Sequence, residues 1–65
     1  MQVNELKAEM ARKNKTQKDI AQATNKKEAT ICRNFKSGYM TIDDAKKIAD
    51  LLELSLERRA EIFLK

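Results

Sequence analysis

Apolar residues recur at helical intervals along most of the chain. Val3, Leu6 and Met10 stand at i, i+3 and i+7, the stripe of an amphipathic helix. Asn4 suits the N-cap, Glu5 suits the positive helix end, and the basic run Arg12-Lys13-Asn14-Lys15 closes this first helix near residue 14. Thr16-Gln17-Lys18-Asp19 opens a second helix, the Thr hydroxyl accepting from an early backbone N–H while Asp19 adds negative charge to the first turn. Over roughly residues 17–23, Ile20, Ala21 and either Ala23 or Thr24 turn inward, and so short a helix needs tertiary support to persist in water.

The polar stretch Thr24-Asn25-Lys26-Lys27 interrupts both patterns, with Asn25 as the pivot of a tight turn because Asn tolerates left-handed backbone. A third helix follows over roughly 27–36, with Ile31 and Phe35 facing the core, and Gly38 lies where a C-terminal stop belongs. A second Thr-x-x-Asp cap, Thr41 to Asp44, opens a fourth helix whose inward stripe is Ile42, Ala45, Ile48, Ala49 and Leu52. Ser55 caps a fifth, whose apolar set is Leu56, Ala60, Phe63 and Leu64. Met1, Met10 and Met40 read as core or end packing.

Composition narrows the class. There is no proline, one glycine and 5% aromatic residues, so the turn glycines and aromatic strands of a sheet protein are missing and the chain reads as all-α. Sixty-five residues suffice for one small domain, 1–65, with a single core. One cysteine and no histidine exclude an internal disulfide and leave no basis for a zinc site, so neither metal nor cofactor is expected. The lone thiol, the lack of a signal-peptide core and the lack of a membrane-length apolar run point to a cytoplasmic protein that avoids membranes.

The net charge of +4 is unevenly spread. Residues 12–36 hold eight bases and two acids, whereas Tyr39 to Lys65 holds five bases and six acids. That asymmetry fits one face meeting a polyanion and another meeting water or protein.

Gln17-x-x-Ile20-Ala21, Thr30-Ile31-x-Arg33 and Thr41-Ile42-x-x-Ala45-x-x-Ile48-Ala49-x-x-Leu52 together resemble the Cro/C1-type (XRE) helix-turn-helix family of phage repressors, Cro proteins and prophage regulators. The resemblance covers about residues 4–63 and implies a compact five-helix, lambda-repressor-like domain containing a helix-turn-helix. Two features depart from the family pattern. Thr24, Asn25 and Lys26 replace its apolar-Gly-apolar turn, and the glycine after the third helix falls one residue late, at Gly38.

The resemblance implies a sequence-specific DNA-binding regulator that occupies an operator on double-stranded DNA through its third helix. With Ile31 and Phe35 inward, Glu28, Ala29, Cys32, Arg33 and Lys36 turn outward, and Lys27 stands at the tip. Base reading then falls to Lys27, Glu28, Ala29, Cys32 and Arg33, with Arg33 suited to guanine O6 and N7. Gln17 matches the family residue that bonds a phosphate from the start of the second helix. Lys15, Lys18 and Lys36 add sequence-independent attraction, and the Tyr39 hydroxyl either meets a phosphate or packs over the junction of the third and fourth helices.

No enzyme is indicated. Cys32 lacks a histidine to activate it, and Asp43-Asp44 reads as a helix N-terminal feature. The alternative function is a protein–protein modulator, an antirepressor gripping a repressor's DNA-binding domain, which would explain Lys26 and the late glycine. Leu54, Leu56, Ile62, Phe63 and Leu64 offer more apolar area than one stripe absorbs, so they form the expected surface for a homodimer or a repressor partner.

Overall fold

Four polypeptide stops of one kind set the architecture. The computed structural model describes residues 1–64, and among them α1 (Val3–Arg12), α2 (Gln17–Thr24), α3 (Glu28–Ser37), α4 (Ile42–Leu51) and α5 (Leu56–Phe63) follow without a strand. After each of the first four helices one residue adopts left-handed backbone: Asn14, Asn25, Gly38 and Glu53, with φ of 57°, 56°, 74° and 53°. The next N–H then reaches back five residues, Lys15 to Met10, Lys26 to Ala21, Tyr39 to Asn34 and Leu54 to Ala49, at 2.8–3.2 Å. This satisfies carbonyls that the helix end would otherwise orphan. A chain with one glycine thus makes four such stops by using two asparagines and, at a steric cost, one glutamate.

The N-termini follow the expected chemistry with one exception. Thr16 accepts from the Asp19 N–H while Asp19 accepts from the Thr16 N–H at 2.8 Å, a reciprocal box. Thr41 and Ser55 cap α4 and α5 by accepting from Asp44 and Arg58 N–H groups. Helix α1 begins earlier than expected. Its cap is Gln2, not Asn4, and no side chain bonds there; the Gln2 N–H donates instead to the Ile62 carbonyl at 2.7 Å, tying the start of α1 to α5. It also ends at Arg12, before the expected residue 14, because Asn14 has already turned left-handed.

The core is built from Leu6 and Met10 of α1, Ile20 and Ala21 of α2, Ile31 and Phe35 of α3, Ile48 and Ala49 of α4, and Leu52, Leu54 and Ile62. Helix α2 packs against both α3 and α4, and α1 packs against α5. Met10 is buried, while Met1 and Met40 lie against the core from its edge. No described helix is long and apolar enough to cross a membrane.

Three apolar positions depart from the expected stripes. Ile42 is exposed at the first position of α4, where it borders an open groove against α5. On α5 the expected inward set is rotated: Leu56 and Leu64 are exposed, Phe63 and Ala60 are half-buried, and Ile62 is fully buried. A charged residue explains the rotation. Arg58 faces α1, its Nε donating to Glu9 at 2.8 Å and its terminal nitrogen meeting Glu5 at 2.6 Å, with Glu61 at 3.1 Å. Ile62 lies one turn beyond Arg58 on the same face, so it enters the core, and Leu56, two residues before Arg58, points away.

Glu9 is nearly buried and also meets Arg12 at 3.2 Å. The Arg58 hydrogen bond is the main cause holding its carboxyl below the ordinary value; burial opposes, and Arg12 adds to the lowering. A folded carboxyl more acidic than its unfolded form contributes fully above the ordinary value of 4.5 and is lost as pH falls through the lower folded value. Asp19 acts in the same direction, lowered chiefly by the Thr16 backbone N–H. Thermal stability is therefore expected to fall on acidification below about pH 4.5, and Glu9→Gln to flatten part of that dependence. Identical pH profiles for the two proteins would contradict the role given to Glu9.

Glu53 supplies a second check. Exchange to glycine removes a left-handed penalty of about 1–2 kcal/mol and returns about 0.4–1 kcal/mol of freedom to the unfolded chain. Chemical denaturation of Glu53→Gly should show a stability gain of about 0.5–1 kcal/mol. A loss of stability would contradict the strained stop after α4.

Candidate nucleic-acid interface

Helix α3 is held by two anchors and is otherwise free. Ile31 and Phe35 are buried, and a count of roughly 100° per residue puts Arg33 opposite their line. Ala29, Arg33 and Lys36 share that exposed side at i, i+4 and i+7. Lys27 is the exposed N-cap residue and Glu28 the exposed first residue. Cys32, expected outward, is half-buried on the flank. No side chain caps the first turn of α3; the Lys27 carbonyl accepts from the Thr30 and Ile31 N–H groups there.

The turn between α2 and α3 positions this face. Asn25 is the left-handed pivot, as its sequence context implied, and Thr24 Oγ1 donates to the Ile20 carbonyl at 2.8 Å, settling a buried hydroxyl. Ala21, 5% exposed, packs among the buried residues of this region, and its small side chain permits the approach of α3. Lys26 reaches across to α4 and meets the buried carboxylate of Asp44 at 3.3 Å. That pair fastens the turn to the start of α4. Gly38 is the left-handed stop of α3, so both departures noted in the sequence have local structural roles.

Charge divides the molecule. Among the described residues Lys15, Lys18, Lys27, Arg33 and Lys36 make no ion pair, and all but the half-buried Lys15 are exposed. The two arginines of α5 are instead consumed internally, Arg58 by three carboxylates and Arg59 by Asp50 at 2.8 Å and the Leu54 carbonyl at 3.0 Å. Gln17 is half-buried at the first position of α2, beside the Thr16 cap. Asp19, one of the two acids in the basic stretch, is engaged by Thr16, which leaves Glu28 as the exposed acid of α3.

The remaining expected positions separate. Tyr39 is exposed beyond the α3 stop, its backbone N–H held by Asn34 and Ser37. Of the expected dimer or partner surface, Leu54 and Ile62 are buried and belong to the core; Leu56 and Leu64 remain exposed, with Phe63 half-buried between. Among the described residues no cluster of His, Cys, Asp and Glu is arranged to hold a metal ion. Sequence reasoning missed the Lys26–Asp44 and Arg58–Glu9 pairs. Their partners lie 18 and 49 residues apart, and only the placement of a charge amid apolar neighbours hints at either.

Replacing Ala21 with Leu should overpack the approach of α2 to its neighbours and cost about 1–3 kcal/mol. Unchanged thermal stability would mean that Ala21 does not set that spacing. Compared with family models, with curated proteins and with solved structures, the chain finds no match in any of the three.

Proposed function

We propose that this chain is a sequence-specific DNA-binding regulator in which α2 and α3 act as a helix-turn-helix. The observation that carries the reading is the exposed outer face of α3, which bears Arg33 and Lys36 unpaired, with Lys15, Lys18 and Lys27 unpaired on the segments that precede it. A major groove about 12 Å wide admits such a helix. Lys15, Lys18 and Lys36 meet phosphates, and Gln17 bonds another beside the positive end of α2. Arg33, farthest from the core, reads guanine through O6 and N7. Lys27 and Glu28 reach base edges from the tip, Glu28 accepting from cytosine N4, and Ala29 with the edge of Cys32 borders a thymine methyl. Regulation follows from occupancy: a bound domain excludes polymerase or a rival repressor from the operator.

The antirepressor alternative rested on Lys26 and the late glycine. Both have local roles in the fold: Lys26 fastens the turn to α4, and Gly38 stops α3.

Arg12 and Lys26 being paired, Lys15, Lys18, Lys27, Arg33 and Lys36 are the cations assigned to phosphate or base contacts. With the phosphates of Lys15, Lys18 and Lys36 neutralised, log K should fall with log[salt] at a slope of about −3. A slope shallower than about −2 on duplex DNA would overturn the reading. Within the preferred site Arg33→Ala should cost about 1–3 kcal/mol and relax the preference at one base pair, whereas Lys18→Ala should weaken all sequences alike. Equal losses on specific and random DNA in both variants would remove Arg33 from the base-reading role.

A further inference from the structure

The four large apolar residues that stand exposed all border one groove. Tyr39, Ile42, Leu56 and Leu64, between 64% and 83% exposed, line a groove of about 420 Å³ between α4, α5 and the loop that follows α3. Apolar residues scattered singly over a surface need no explanation, but a contiguous set does. Small side chains among its lining leave room in it. Ala45 and Ala49 lie one turn apart on α4, and Ala60 faces them from α5. It shares no residue with the cations proposed to meet DNA.

Charge and size identify the occupant. The charged residues among those lining the groove are both cations, Lys46 and Arg59. Arg59 is already held by Asp50, whereas Lys46 is exposed and makes no ion pair among the described residues. A second copy would bring the same lysine to the same site, and the groove is small for self-association. Its ten-residue wall, α4, is about 15 Å long, two to three turns, which matches one short helix laid along it rather than the face of a folded domain. A short amphipathic helix fits both limits: its apolar stripe lies over the alanines, and a carboxylate on its flank meets Lys46.

We propose that the α4–α5 groove binds a short, acidic, amphipathic helical segment of another protein, with Lys46 as its charge anchor. Such a contact would couple a DNA-bound regulator to a second protein from a face that leaves α3 free.

The test is selection of a random 14-residue peptide display library against the full chain, followed by affinity measurement on synthetic copies of the enriched peptides. Enriched sequences should carry apolar residues at i, i+3 or i+4, and i+7 beside an Asp or Glu. Ala45→Leu, which fills the groove, should weaken them at least tenfold. Lys46→Glu, at an exposed position that folding does not use, should weaken acidic peptides at least tenfold and favour versions with Lys in place of the acid. Three results would overturn the proposal: no enrichment over selection on Ala45→Leu, enriched peptides without carboxylates, or binding of free decanoate as tight as that of the peptides. Sedimentation supplies a fourth. A dimer of the free chain that Leu56→Lys dissolves would give this face to a second copy.

Discussion

Arg58 is the residue around which the molecule is arranged. It draws Glu5 and Glu9 of α1 and Glu61 of its own helix onto one guanidinium, and Glu9 is nearly buried when it does so. A carboxylate taken out of water requires a partner with good geometry, and a forked, permanently charged guanidinium meets that need better than an ammonium. The consequence is a fixed rotation of α5. Ile62 enters the core, the Ile62 carbonyl receives the Gln2 N–H just ahead of α1, and Leu56 and Leu64 are left outside. The apolar groove therefore follows from a charged contact on the opposite side of the same helix.

The same contact contributes to the division of charge. Arg58 is spent on two acids of α1 and one of its own helix, Arg59 on Asp50, and Lys26 on Asp44. The cations of α2 and α3 have no such partners among the described residues. The outer face of α3 carries Arg33 and Lys36 without acid partners among the described residues, and the groove between α4 and α5 presents apolar surface with Lys46 unpaired. A small domain with one modest core can offer two chemically different faces in this way.

Much of this was legible in the residue order. The Thr16, Thr41 and Ser55 caps, the Asn25 pivot, the Gly38 stop and the inward pair Ile31 and Phe35 each follow from local chemistry, and local chemistry acts within a few residues. The outward disposition of Arg33, Ala29 and Lys36 follows from those two anchors. What was not legible depends on distance. The rotation of α5 is set by Glu5 and Glu9, about fifty residues away, and an apolar stripe drawn without Arg58 selects Leu56 over Ile62. Ile42 was misplaced for a related reason, since helical period alone does not say where a groove between helices stays open. Glu53 gives no sign in the sequence of its left-handed backbone, because that conformation is imposed by the return of Leu54 to the core. Gln2 caps α1 through a carbonyl that only the folded chain brings near.

The central claim is that the outer face of α3, with the start of α2, is the surface that meets duplex DNA. Its most direct test is an amide chemical-shift map of the whole chain titrated with a short random-sequence duplex at low salt. The account predicts that the largest changes fall on Gln17, Lys18 and the segment Lys27 to Lys36, while Leu56 to Leu64 stays unmoved. Changes concentrated on α4 and α5, with α3 silent, would contradict it.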